Sequence, residues 1–196
     1  GYETYRPGQE DAFAVPDESW FFANGKGPNL TLNIKNIILS ESSIDLRSTG
    51  AGNAGSLTIH AQHLKLDDES SISSLSAMTG NAGSINILTD RLDVLGQSKI
   101  ETSTEYRATN LEELNLVGGL GGDLSIDAKE LYLINGSLDV GTKGSGESGM
   151  VNIKSDILLM KGGKINADAS GESYVTENRP TGGWEAFEVS GEDTWQ

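Results

Sequence analysis

The chain has 196 residues, a formal net charge of −15 and no cysteine. That charge excludes the basic stripe that would displace counterions from nucleic-acid phosphates, and it disfavours an anionic membrane surface. Without cysteine there is no disulfide and no thiolate metal site, and no apolar run approaches the ~18 residues of a helical membrane span. Hydrophobic residues make up 36% and glycine contributes 25 residues, a balance that suits many short strands with tight corners rather than a thick two-layer globule. The sequence opens on Gly1 with no signal-like segment, and it reads as a processed product or an excised fragment.

Residues 1–28 hold Tyr2, Tyr5, Phe13, Trp20, Phe21 and Phe22, half of the chain's aromatic residues, and are expected to form a cap or docking segment. From 29 to 168 the pattern changes to apolar pairs at i, i+2, the period of a strand with one buried face. The pairs recur in sets of three: Leu57/Ile59, Leu64/Leu66 and the third site Ile72; then Ile85/Ile87, Leu92/Val94 and Ile100. Leu124/Ile126, Leu131/Leu133 and Leu138/Val140 follow, then Val151/Ile153, Leu158/Met160 and Ile165/Ala167. Leu30/Leu32, Ile37/Leu39 and Ile44/Leu46 precede them as a first copy.

Each pair is too short to bury a face alone, so stacking like positions on like is the way to form a core. The expected fold is all-β: a parallel β-helix (β-solenoid) of about five coils, about 24 Å long at the strand spacing. Leu30, Leu57, Ile85, Leu124 and Val151 would form one inward column. A β-sandwich would instead carry two-residue hairpin signals; only Asn24-Gly25 and Asn135-Gly136 are of that kind, and there is no Asp-Gly.

"GNAG" opens both the stretch from Gly52 and the stretch from Gly80. Gly55, Gly83, Gly122 and Gly149 recur two residues before the first inward residue, where a side chain would clash with the neighbouring coil; Pro28 stands there in the first copy. Asn53 and Asn81 share a register and are expected either to ladder their amides or to tolerate left-handed backbone. The longer interval between the third and fourth copies places an insertion loop near 104–117, expected to cover a side of the rod, with one helical turn capped by Asn110 over "NLEELNL". Residues 169–196 contain Tyr174, Trp184, Phe187 and Trp195 but almost no aliphatic pairs, and read as an arm or cap, poorly ordered when free.

The chemistry is sparse. A glycosidase needs two carboxylates at about 5–9 Å, and the rod's candidates are Asp67, Asp68 and Glu69 with Asp93 and Glu101 in the next coil. No column of three acids builds up, Arg91 stands alone, and His60 and His63 read as surface residues. No catalytic residue is assigned. The one cofactor suggested is calcium, for which Asp67, Asp68 and Glu69 offer oxygens, although neither the EF-hand spacing nor a GGxGxD repeat is present. GGLGG at 118–122 lacks the Lys-Ser/Thr of a phosphate loop.

GNAG followed by S-[LI]-x-I and two further apolar pairs resembles the repeats of filamentous-haemagglutinin-like exoproteins, with cyanobacterial-type members most similar. The resemblance is strong over 52–103 and looser over 29–48 and 118–168. It implies a right-handed helix, secretion through an outer-membrane partner, a place outside the cell or on its outer surface, and a role in adhesion or surface structure. The expected function is therefore a non-catalytic extracellular structural or adhesive protein, with a polysaccharide lyase or hydrolase as the alternative. Raw solenoid edges invite pairing, so a homo-oligomer or fibre is expected through the terminal aromatics Trp20, Phe21, Phe22, Tyr174, Trp184, Phe187 and Trp195. Host or matrix glycans are the other expected partners; nucleic acid and membrane insertion are not expected.

Overall fold

A computed structural model describes residues 25–77, 79–105, 119–143 and 146–169, together with the backbone of 174–178 and 184–188. Coil one consists of β1 (Leu30–Asn33), β2 (Asn36–Ser40) and β3 (Ser43–Asp45). Each later coil has one long and one short strand: β4 (Leu57–Asp67) and β5 (Ser71–Ser76), then β6 (Ile85–Leu95) and β7 (Lys99–Thr104). Coil four is β8 (Leu124–Ile134) and β9 (Ser137–Thr142), and coil five is β10 (Val151–Lys161) and β11 (Lys164–Ala169). The long strands stack in parallel as β1-β4-β6-β8-β10, with β2 also on β4, and the short ones as β3-β5-β7-β9-β11. Five coils, and so four turns from first to last, make a parallel β-solenoid.

The apolar pairs set this register. Leu30 pairs with Leu57, Leu57 with Ile85, Ile85 with Leu124, and Leu124 with Val151. In coils two to four the inward residues Leu57, Leu64, Leu66, Ile72, Leu92, Ile100, Leu131 and Leu138 are all fully buried. Each such side chain is worth about 1.5–3 kcal/mol on burial, and no coil could realise that alone.

The first and second pairs of coils two to five lie on one continuous 11-residue strand rather than on two, a departure from the expected three short strands. Between Ala61 and Leu64 the inward side recurs after three residues, not two, and the pairing skips Gln62 and Asp90. One extra outward residue thus turns the chain without breaking the ladder. Hydroxyls compensate the skipped bond: Thr89 Oγ1 lies 3.1 Å from the Gln62 carbonyl, and Ser155 Oγ lies 3.2 Å from that of Lys129. These bonds give the carbonyls at the bend a protein partner beside solvent.

The glycine corner is a problem of space. A methyl on Gly83 would overlap the carbonyl of Gly55, one on Gly122 that of Gly83, and one on Gly149 that of Gly122. None of these glycines has a positive φ. Every overlap points to the preceding coil, and this accounts for Pro28. Pro28 heads the column, with its carbonyl beneath Gly55, and no described residue lies before it at this corner. Interior hydroxyls tie the same corner to the opposite sheet: Ser74 Oγ donates to Gly55 O (2.7 Å) and accepts from Gly83 N (3.0 Å), and Thr102 donates to Gly122 O.

The asparagines build a ladder of a different kind from either expectation. Asn53 Oδ1 accepts the backbone N–H of Asn81 (3.0 Å), and Asn81 Oδ1 accepts that of Leu120 (2.9 Å). The amides therefore bond to the next coil's backbone, not to each other. Left-handed backbone sits at another corner, between the long and short strands. There Glu41, Asp68, Gly96, Asn135 and Gly162 all have positive φ, joined by Glu69 and Gln97 in coils two and three.

Residues 174–178 and 184–188 form β12 (Tyr174–Asn178) and β13 (Trp184–Glu188), an antiparallel hairpin that pairs with neither solenoid sheet. These two strands are the described part of the expected arm or cap beyond Ala169, which itself still belongs to β11. The expected helical turn over "NLEELNL" lies outside the described residues, as does most of the insertion near 104–117.

Gly83→Ala is expected to lose about 1–3 kcal/mol or more, the cost of forcing atoms into a filled site. Gly25→Ala, with open space around the new methyl, should leave the urea midpoint unchanged. Equilibrium unfolding of the two variants side by side checks the corner.

Candidate functional site

Past the bend, alternate residues of each long strand point outward, so residues one coil apart in register become neighbours on a flat face. His63 pairs in register with Arg91 and Arg91 with Glu130; Lys65 pairs with Asp93 and Asp93 with Tyr132. Five polar side chains from coils two, three and four thereby converge. His63 Nε2 is 2.6 Å from Asp93 Oδ2, and Arg91 Nε is 3.0 Å from both Asp93 oxygens. Arg91 also reaches Glu130 at 3.7 Å, and its guanidinium lies 4.4 Å from the centroid of the Tyr132 ring. Tyr132 closes the cluster by donating its hydroxyl to Glu130 (3.2 Å). Asp93 is 3% exposed although it faces outward.

Arg91 is therefore not alone, which corrects the sequence reading. The signal was present in the 28- and 39-residue offsets, but it required pairing position 63 with 91 and 130. The electrostatics are those of a closed set. The hydrogen bond to Asp93 holds the Arg91 guanidinium more firmly protonated. Acceptance by Glu130, then burial, pushes the Tyr132 phenol above its ordinary value, so it is a poor proton acceptor near neutrality. Cation–π contact with Arg91 further occupies the ring.

The short-strand face brings a second pair together. Glu101 and Asp139 are register partners on adjacent coils, and Glu101 is bound by Lys99 at 2.7 Å. Burial, then the Glu101 charge, raises the Asp139 carboxyl above its usual range. Two carboxylates one strand spacing apart with different surroundings are the arrangement that separates acid and base roles. The sequence reading included Glu101 but passed over Asp139, which lies beyond the insertion.

The calcium candidates sit at the left-handed corner, beside an open trough of about 1040 Å³ lined by Glu41, Asp68, Glu69 and Gln97 among others. Asp67 is bound by Lys65 at 2.8 Å, which lowers its pKa, and it accepts the Asp68 N–H; Asp68 accepts the Ser40 hydroxyl. Among the described residues no group of three or more His, Asp or Glu side chains is arranged to hold a metal ion. His60 lies on the first face beside Asn86, Leu88 and Asp127, on the far side of the bend from His63.

Gly55, Gly83, Gly122, Gly149, Asn53 and Asn81 all lie at the corner described above. Trp20, Phe21, Phe22 and Trp195 fall outside the described residues. Tyr174, Trp184 and Phe187 occupy positions on β12 and β13.

Fold and site together define the class as a parallel β-solenoid whose outer faces carry polar clusters bonded from coil to coil. No known protein family matches the chain, no curated protein is detectably similar, and no solved structure matches it.

Asp93→Ala should cost about 1–3 kcal/mol, because it removes the buried acceptor shared by Arg91 and His63. Asp67→Ala, at an exposed pair, should scarcely move the urea midpoint. A carboxyl with a raised folded-state pKa binds protons more tightly in the native state, so its charge weakens the fold as pH rises through that pKa. Asp139→Asn is therefore expected to raise the urea midpoint at pH 7 relative to the parent chain. The difference should vanish on acidification below the carboxylate range; an equal shift at both pH values would show another cause.

Proposed function

We propose that this protein is a non-catalytic extracellular structural or adhesive β-solenoid. The observation that carries the reading is the mutual saturation of its most convergent outer groups: His63, Arg91, Asp93, Glu130 and Tyr132 bond one another across three coils. A lyase needs a cation facing substrate and a base able to take a proton. Here the cation lies between two carboxylates and the phenol is held by one of them. Such a cluster fastens coils together.

The outer faces suit contact with a polar polymer. Thr31, Thr58, Asn86, Ser125 and Asn152 form an outward column of uncharged donors and acceptors at strand spacing, a pattern that fits the hydroxyls of a host or matrix glycan. The acidic exterior and the likeness of the GNAG repeats to secreted exoproteins support a place outside the cell or on its outer surface.

One observation favours a second reading, a polysaccharide hydrolase: the stacked carboxylates Glu101 and Asp139, with the Asp139 carboxyl raised and Glu101 ion-paired with Lys99. The two readings separate cleanly. Incubated with a panel of neutral and acidic polysaccharides, with and without calcium, the purified chain is expected to release no new reducing ends and no unsaturated products. Turnover that disappears in Asp139→Asn would replace the structural reading with the enzymatic one.

A further inference from the structure

The last coil leaves the core open. Leu158, Met160 and Ile165 occupy inward columns whose members in coils two to four are fully buried, yet they are 46%, 41% and 38% exposed. The outward neighbours Ile157 and Leu159 are 50% and 47% exposed. On this side the β10–β11 edge pairs with no other strand among the described residues. An apolar end with free backbone groups requires a cover.

A sixth coil supplied by coil one of a second copy is the obvious occupant, and its apolar columns would match: Leu30 over Val151, Ile37 over Leu158, Ile44 over Ile165. The corner forbids it. Each residue stacked in the glycine column directs its β position at the carbonyl of the preceding coil, so Pro28 of an added coil would drive its ring into Gly149 O. The side-chain ladder stops there as well. Asn29 accepts Ser56 N–H and Asp123 accepts Met150 N–H, but Met150 carries no oxygen with which to receive a further coil.

We propose that the C-terminal segment 170–196, which carries the β12–β13 hairpin, covers the apolar end of coil five in the same chain. Three observations lead to this occupant. The first is reach. β11 ends at Ala169 and β12 begins at Tyr174, a link that extends to about 17 Å at most. Ile165 lies on that same strand, about 13 Å back from the tether. The hairpin is therefore held beside the open end at high effective concentration. The second is need: an isolated two-stranded hairpin is marginal in water and requires a face to pack on, and this one includes Tyr174, Val175, Trp184, Ala186 and Phe187.

The third is charge. Segment 170–196 has Glu172, Glu177, Glu185, Glu188, Glu192 and Asp193 against Arg179 alone. Coil five presents Lys161 and Lys164, for which the described residues show no ion pair. In a chain of net charge −15, these two lysines, on a coil that also holds Asp156 and Asp168, are the cations that an acidic segment would complement there. The cap stands whether the rod is structural or enzymatic.

The absence of cysteine makes the test direct in the full-length chain. Met160→Cys is combined in separate variants with Val175→Cys and with Phe187→Cys, and each is oxidised at low protein concentration. At least one pairing should yield a disulfide within a single chain, seen as a monomer of altered mobility on a non-reducing gel. Its yield should fall several-fold at low salt when Lys161→Glu and Lys164→Glu are added, and the difference should narrow at high salt. Disulfides that join two chains would overturn the proposal in favour of a segment that reaches a second copy and builds an oligomer or fibre. Absence of any cross-link in both pairings would overturn it as well.

Discussion

Everything in this fold depends on how closely one coil can approach the next at a single corner. The carbonyls of Pro28, Gly55, Gly83 and Gly122 occupy the space where a side chain of the following coil would start. With hydrogen there instead of a methyl, the strands on either side reach ladder spacing and the core columns close. The same contact has a direction, since each glycine yields to the coil before it. A stack built this way has two unlike ends, one headed by Pro28 and the other left at Gly149.

Once the spacing is set, polar groups inside and outside the rod fall into repeating bonds. Within it, Ser74 and Thr102 attach the short-strand sheet to the glycine corner, where an aliphatic side chain would leave carbonyls unsatisfied. At the surface, Asn53, Asn81 and Asp123 each give an oxygen to a backbone N–H one coil on. The acidic and basic side chains follow the same rule, as in Lys154 with Asp127 and Lys129 with Asp90. A chain of high net negative charge thus sets several of its cations against carboxylates. Groups held in this way strengthen a rod and leave little free for chemistry, and the proposed role rests on that balance.

The two ends connect structure to assembly. A solenoid with matching faces would lengthen by simple addition, as a heterologous contact that never closes. In the capping proposal, proline at one corner and methionine at the other interrupt that addition while leaving the apolar columns intact. Growth by strand continuation is thereby separated from stability, and the C-terminal hairpin lies within reach of the face that remains.

The sequence by itself determined the class of fold. Apolar pairs at i, i+2 recurring at 27 or 28 residues, with one interval of 39, admit one economical burial, stacked coils, and Leu30, Leu57, Ile85, Leu124 and Val151 could be aligned by counting. The glycine positions were equally legible, because a residue without a side chain recurring at a fixed place in each copy marks a close approach. What counting could not supply was side-chain direction at the corners. Whether Asn53 bonds to an amide or to a backbone N–H, and whether the long strands bend or break, depends on ångström-scale geometry that several sequences satisfy equally. The polar cluster of His63, Arg91, Asp93, Glu130 and Tyr132 escaped for a related reason. Its members come from three coils separated by unequal intervals, and a parity shift at the bend decides which of them face the same way. Only the folded stack, by bringing distant residues into register, could make them neighbours.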